Sequence, residues 1–324
     1  MTTKTWNGSN ADWYANSGGD WSPTGDPAAT DDVIIDSGTV TLTGGDAGIS
    51  VNSITLSGSA VFRVDDPGIT QSVAGSFSNS GVVTLDGTSV LTVTGAFTNS
   101  GTIQLDIGNG DGGSSLTIGG VLANSGSVQI DNDALSAATP VTLGGLTNAS
   151  GASVQVFGSA SQPVTLTFTS GGTGFTLNAG TFVLSDAAPL TLASALTNSG
   201  SIELADTAPV TLDNNLTNSG TIDLTGAELT VTGGFSNNGG TLDLSTNTGD
   251  GGSILTVGGT LANTGKVQIG NYALSAATPL TLGGLTNAGG ASFEMFGSAS
   301  HAAALTFSSG GSGFTSNAGV VDLS

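Results

Sequence analysis

Leu216 to Leu224 reads LTNSGTIDL, and close copies run through the chain: LTNSGSIEL from Leu196, FTNSGTIQL from Phe97, LANSGSVQI from Leu122 and LANTGKVQI from Leu261. In each copy apolar and polar residues alternate, as Ile222, Asp223 and Leu224 do, which is the pattern of a half-buried strand. Asn, Ser and Gly stand before that strand and supply turn chemistry. The glycine of the motif recurs at Gly81, Gly101, Gly126, Gly151, Gly180, Gly200, Gly220, Gly240, Gly265, Gly290 and Gly319, in steps of 20, 25 or 29 residues. The order of the steps repeats as well. Residues 111–185 align with 250–324 at an offset of 250 − 111 = 139, with 53 of 75 positions identical.

A unit this short, and this poor in helix formers, cannot bury its apolar face alone. Stacked units can, by laying strand on strand about 4.8 Å apart. The expected fold is therefore all-β: a parallel β-solenoid of about 20–29 residues per coil, each motif copy forming one coil. Such stacking predicts columns. One is Asn79, Asn99, Asn124, Asn148, Asn178, Asn198, Asn218, Asn237, Asn263, Asn287 and Asn317, where side-chain amides can bond from coil to coil. The rival reading, an amide-lined binding site, needs a few residues rather than eleven. The extra length of the longer coils (IGNGDGG, DNDALSAATP, SGGTGF) should emerge as side loops. Trp6, Trp13 and Trp21 all precede the first clear strand, so residues 1–32 read as an N-terminal cap on a solenoid spanning 33–324. An aromatic sugar-binding platform is the rival reading of those tryptophans. The sequence stops mid-pattern at VVDLS, so either a longer array continues it or its last coil docks on another molecule.

Charge narrows the partners. Twenty-four acidic residues face three basic ones, Lys4, Arg63 and Lys266, for a net charge of −21. Nucleic acid and anionic membrane surfaces both require basic residues and are excluded. Cysteine is absent, which removes disulfides and thiol chemistry. No apolar run is long enough to be a transmembrane segment, and MTTKTWNGSN shows no signal-peptide core.

Little of the chain points to catalysis. The lone His301 aligns with Gln162 in the other long repeat and reads as a surface residue. Carboxylates do line up: Glu203, Asp223 and Asp243 should share one outward column, and Asp86 and Asp106 its neighbour. Paired carboxylates serve polysaccharide hydrolysis, stacked ones can hold calcium, and both readings compete with a solvated acidic face. The loops IGNGDGGSS and NTGDGGSI partly match the Gly/Asp calcium repeats of secreted toxins. Asp111 and Asp250, with Asp106, are thus the candidate calcium ligands. No catalytic residue and no other cofactor is assigned. A threonine column (Thr92, Thr117, Thr142; Thr191, Thr211, Thr230) resembles an ice-binding array, but the second column that such an array needs is broken by Gly119, Gly144, Ala193 and Asp213.

The opening TWNGSNADWYANSGGDWSPTGDPAATDDVIIDSGTVTLTG, followed by SITLSGSAVFRV and LTVTGAFTNSGTIQL, resembles β-helical modules of large bacterial surface proteins. The likeness is to autotransporter-passenger-like and adhesin-like β-strand-repeat proteins, and it covers essentially the whole chain. It implies a right-handed parallel β-helix, export to the cell surface or extracellular space, and roles in adhesion, biofilm matrix or surface filaments. It carries over no catalytic residue. Export without an N-terminal signal fits the bare Met start. The expected function is a non-enzymatic extracellular structural protein, a self-assembling filament or layer component whose partner is itself, head to tail. The alternatives are an adhesin or carbohydrate-binding rod segment that meets cell-surface glycans, and a polysaccharide-degrading β-helix enzyme.

Overall fold

The computed structural model describes residues 2–14, 19–131, 135–159, 161–206 and 208–324. They form strands and turns with no helix, in two compact units, Met1–Gly174 and Phe175–Ser324. Each unit is a parallel β-solenoid.

In the first unit one coil is built from Thr70–Val73, Phe77–Asn79 and Val82–Leu85, and the next from Val90–Val93, Phe97–Asn99 and Thr102–Leu105. Each strand pairs in parallel with its copy in the adjacent coil: Leu91 with Gln71, Phe77 with Phe97, Val83 with Ile103. The step from Phe77 to Phe97 is the coil length, 97 − 77 = 20, and the step from Asn99 to Asn124 is 25. The second unit repeats the plan. Leu196–Asn198 and Ser201–Ala205 stack on Leu216–Asn218 and Thr221–Thr225. In the longer coils two strands fuse into one, Ser115–Asn124 and Ile254–Asn263, with a register shift in the pairing to the next coil. The added residues form side loops at 107–113 and 246–252. Part of the expected DNDALSAATP loop, residues 132–134, lies outside the described residues.

Alternation sets what is buried. Ile222 and Leu224 point inward while Thr221, Asp223 and Thr225 stay half-exposed. Coil after coil this gives continuous apolar columns, such as Phe62, Val83, Ile103, Val128 and Val154 in the first unit, and Ile222, Leu242, Val267 and Phe293 in the second.

Within each unit the asparagines of the motif form an amide ladder. In the first, Asn79 Nδ2 donates to Asn99 Oδ1 at 2.7 Å, Asn99 to Asn124 at 2.8 Å and Asn124 to Asn148 at 2.9 Å. In the second the chain runs Asn178, Asn198, Asn218, Asn237, Asn263, Asn287 and Asn317, at 2.7 to 2.9 Å. Most of these amides also donate to a backbone carbonyl of the adjacent coil, as Asn218 does to Thr241 O at 3.0 Å. The motif glycine has its own reason. A Cβ on Gly101 would collide with the carbonyl oxygen of Gly81, and one on Gly220 with that of Gly200. At those positions the coils approach too closely for any side chain, whereas Gly151 and Gly290 have open space around them and sit at φ +79° and +86°.

The N-terminal segment has a form of its own. Thr3–Trp6 pairs in parallel with Asp32–Ile35, and Asn10–Asp12 with Thr39–Thr43, so the described residues before 33 already form a coil. What closes that coil is Trp21–Ser22, antiparallel to Thr3–Trp6. The three indoles lie inside: Trp6 and Trp13 pack 4.8 and 4.7 Å from Trp21, and all are at most 3% exposed. They therefore offer no sugar-stacking platform. Lys4 fastens the closure, donating from Nζ to the carbonyls of Pro23, Thr24 and Gly25 at 2.9 to 3.0 Å.

Two stability outcomes follow from this packing. Asn218→Ala strips Asn198 and Asn237 of amide partners in a buried corner, and should destabilise the second unit by about 2–4 kcal/mol in denaturant titration. The second unit also encloses an apolar cavity of about 30 Å³ lined by Phe175, Leu196, Leu216 and Leu229 among others. Leu216 stacks between Leu196 and Phe235. Leu216→Phe would set two rings face to face, as Phe77 and Phe97 already stand at 4.5 Å and 9°. Filling the void should raise stability by roughly 0.7 kcal/mol, seen as a higher melting temperature.

Candidate functional site

Carboxylates are the most abundant chemical groups here, and the stacking brings them together. In the second unit the outward position of one strand reads, in register, Val183, Glu203, Asp223, Asp243, Gln268, Glu294 and Asp322. Neighbours in such a column are about 4.8 Å apart, so like charges oppose one another directly. Burial pushes the Asp223 carboxyl up to about 6, with the charges of Asp243 and Glu203 adding to it. Burial also raises Asp243, against the opposing charge of Lys266. Oδ1 of each aspartate is buried without a hydrogen-bond partner. In the first unit the same position carries Thr41, Arg63, Thr84, Gln104, Gln129 and Gln155, a neutral column apart from the arginine.

The neighbouring column does not stay outside. Asp86 does, and pairs with Arg63 at 3.4 Å. Burial still raises its carboxyl, the arginine charge opposing. Asp106 was expected beside it on the outer face, but its φ of +49° turns the side chain into the corner, where it is fully buried. Its Oδ1 accepts from Ser114 Oγ at 2.6 Å, and its Oδ2 from Ser114 N at 2.8 Å and Thr139 Oγ1 at 2.7 Å. Those donors occupy the carboxylate that a cation would need. Asp131, one coil on, is turned in the same way with φ +65° and is equally buried.

The two loop aspartates close their own turns. Asp111 N donates to Gly108 O at 3.0 Å, and its carbonyl receives Ser136 N at 2.8 Å. Asp250 N donates to Asn247 O at 3.0 Å, while its Oδ2 accepts Asn247 N at 3.3 Å. Asp106 and Asp111 belong to the first unit and Asp250 to the second. Among the described residues no group of three or more His, Cys, Asp or Glu is gathered as a metal site. His301 Nδ1 lies 3.0 Å from Leu274 O and 3.1 Å from Ser300 Oγ, which ties the ring to a neighbouring loop.

Chemically, the column retains a proton at Asp223. Asp223 keeps its proton to higher pH than an exposed carboxyl, so it favours the folded state at low pH. That stabilisation is complete below about pH 4 and is lost as pH rises through about 6. Asp223→Asn should therefore flatten the pH dependence of the second unit between pH 4 and 7. At pH 7 the gain should be a few tenths to about 1 kcal/mol, limited by solvent screening at a half-exposed site. Denaturant midpoints across that range check it.

No protein-family model, curated protein or solved structure matches the chain.

Proposed function

We propose that this chain is a structural protein of the bacterial exterior, a component of a filament, matrix or surface layer that assembles by stacking copies of itself. The observation that carries this reading is the coil formed by Ala303–Phe307, Gly313–Asn317 and Val320–Leu323. Phe314 stands in register with buried Leu285, and Leu323 with buried Met295, yet they are 47% and 65% exposed. A cleft of about 460 Å³ opens there, lined by Met295, Ala302, Leu305 and Leu323. Apolar columns and unpaired strand edges together make a surface that another β-coil fits. Asn317, the outermost amide of its ladder, is exposed with them. In the first unit Trp21–Ser22 covers one edge of Thr3–Trp6, and Asn10–Asp12 pairs with Thr39–Thr43. Head-to-tail contact through that stack is a heterologous contact, which propagates.

Light scattering after size exclusion, with electron microscopy of the full chain in calcium and in chelator, tests the reading. Concentration-dependent filaments are expected. Leu323→Asp should abolish them while shifting the denaturation midpoint by no more than about 0.5 kcal/mol, as a surface change does. A monomer at every concentration overturns self-assembly and favours a rod segment of a larger adhesin. Closed dimers would mean that two open coils meet each other. Loss of filaments in chelator would assign calcium to the contact.

A further inference from the structure

The two long repeats differ at a buried corner in a way that assigns it a chemistry. In the first unit Asp106 and Asp131 follow the paired residues Leu105 and Ile130, one coil apart, and both are 0% exposed. Among the described residues Asp106 receives three donors, from Ser114 Oγ, Ser114 N and Thr139 Oγ1, the complement of an ionised carboxylate. Thr139 Oγ1 also lies 3.1 Å from Asp131 Oδ1. A hydroxyl has one proton to give. With that proton on the nearer Asp106 oxygen, at 2.7 Å, the contact to Asp131 is a hydrogen bond only if Asp131 supplies its own. Among the described residues Asp131 Oδ2 has no hydrogen-bond partner, and a buried carboxylate left so would be strongly disfavoured.

At the offset of 139, Ser114 and Thr139 are kept as Ser253 and Thr278, while Asp106 becomes Ser245 and Asp131 becomes Gly270. Ser245 and Ser253 bond to each other at 2.7 Å, and Thr278 Oγ1 is left without a partner. The same corner thus folds in the second unit with neither acid. Both acids are absent there, so neither is a requirement of the coil.

We propose that Asp131 is a neutral carboxylic acid that donates to Thr139, which donates to ionised Asp106, and that this buried proton is a latch that holds the first unit's corner closed and releases it when the proton is lost. The charges around it agree. Burial pushes the Asp131 carboxyl up to about 8, with Thr139 opposing and the Asp106 charge adding. Asp86 stands on the coil next to Asp106, and Arg63 and Asp65 on the coil after that, joined by ion pairs, and the side loop carries Asp111. On the other side residues 153–162 carry no titratable side chain. Asp133 lies outside the described residues. The folded pKa is raised, so the proton stabilises the fold fully below about pH 4. That contribution falls as pH rises and is gone above about 8. Each pH unit in that window lowers the folded-to-unfolded ratio by up to tenfold through this one group.

Two measurements on the full chain test the latch. Infrared difference spectroscopy at pH 6 should show the carbonyl band of a buried, protonated carboxylic acid, absent in Asp131→Asn and disappearing from the wild type near pH 8. Denaturant midpoints from pH 5 to 9 should fall less steeply in Asp131→Asn, so that it exceeds the wild type at pH 9. The double change Asp106→Ser with Asp131→Gly, which copies the second unit's own corner, should also flatten the profile. It guards against a single variant that misfolds. No such band, or parallel profiles in all three proteins, overturns the proposal. So does protection by calcium at pH 9 in the wild type alone, relative to chelator, since the corner would then hold a cation in place of the proton.

Discussion

A side-chain amide buried at the same corner of each coil from Asn79 to Asn287 must find both its donors and its acceptor within the stack. This requirement governs the register of everything else. Asn198 gives one hydrogen to Asn218 Oδ1 at 2.8 Å and another to the Thr221 carbonyl at 2.9 Å. Slipping one coil by a single residue would bury the amide without partners and turn Ile222 and Leu224 outward in the same movement. The adjacent glycine tightens the constraint, because its lack of a side chain lets one coil's backbone sit against the next. Polar satisfaction and apolar burial therefore select the same register.

This mutual constraint explains what could be read from the sequence. A residue in a column is specified by its copy one coil away, so the period, the amide ladder and the alternation Ile222, Asp223, Leu224 were legible without coordinates. Where no copy exists, the sequence is less explicit. The segment before residue 33 contains a genuine coil, but Thr3–Trp6 lacks the Asn-Ser-Gly motif and its closing strand runs antiparallel. Alternation also misplaced Asp106, because it assumes extended backbone, and one residue at positive φ reverses the face. The loop aspartates Asp111 and Asp250 were rightly seen as loop residues. Their bonds are to their own turns, and a Gly/Asp pattern alone does not distinguish a turn from a metal ligand. A usable signal for the buried corner did exist: two positions that break an otherwise close duplication, Asp106 against Ser245 and Asp131 against Gly270.

Stacking identical coils has an electrostatic consequence. Any acid placed in a column meets another about 4.8 Å away if the next coil copies it. With a net charge of −21, the chain meets this problem repeatedly and handles it in different ways in its two units. Glu203, Asp223 and Asp243 stay on the outer face, where a raised pKa at Asp223 relieves part of the repulsion. In the first unit Arg63 neutralises Asp65 and Asp86, and the next two acids leave the column altogether by turning inward.

Turning inward exchanges repulsion for desolvation, and only hydrogen-bond donors make that exchange tolerable. Ser114 and Thr139 supply them for Asp106, but one hydroxyl cannot serve two anions. The second unit shows what the scaffold does when the acids are absent: a serine pair closes the corner and a threonine hydroxyl is left idle. An idle hydroxyl at Thr278 makes sense as the remnant of a shared plan, since Thr139 has work to do only where the carboxyls flank it. The columns that build the coils leave little freedom to change, so differences between the duplicated repeats concentrate at loops, faces and corners. Those positions are where the two units can acquire separate chemistry on one architecture.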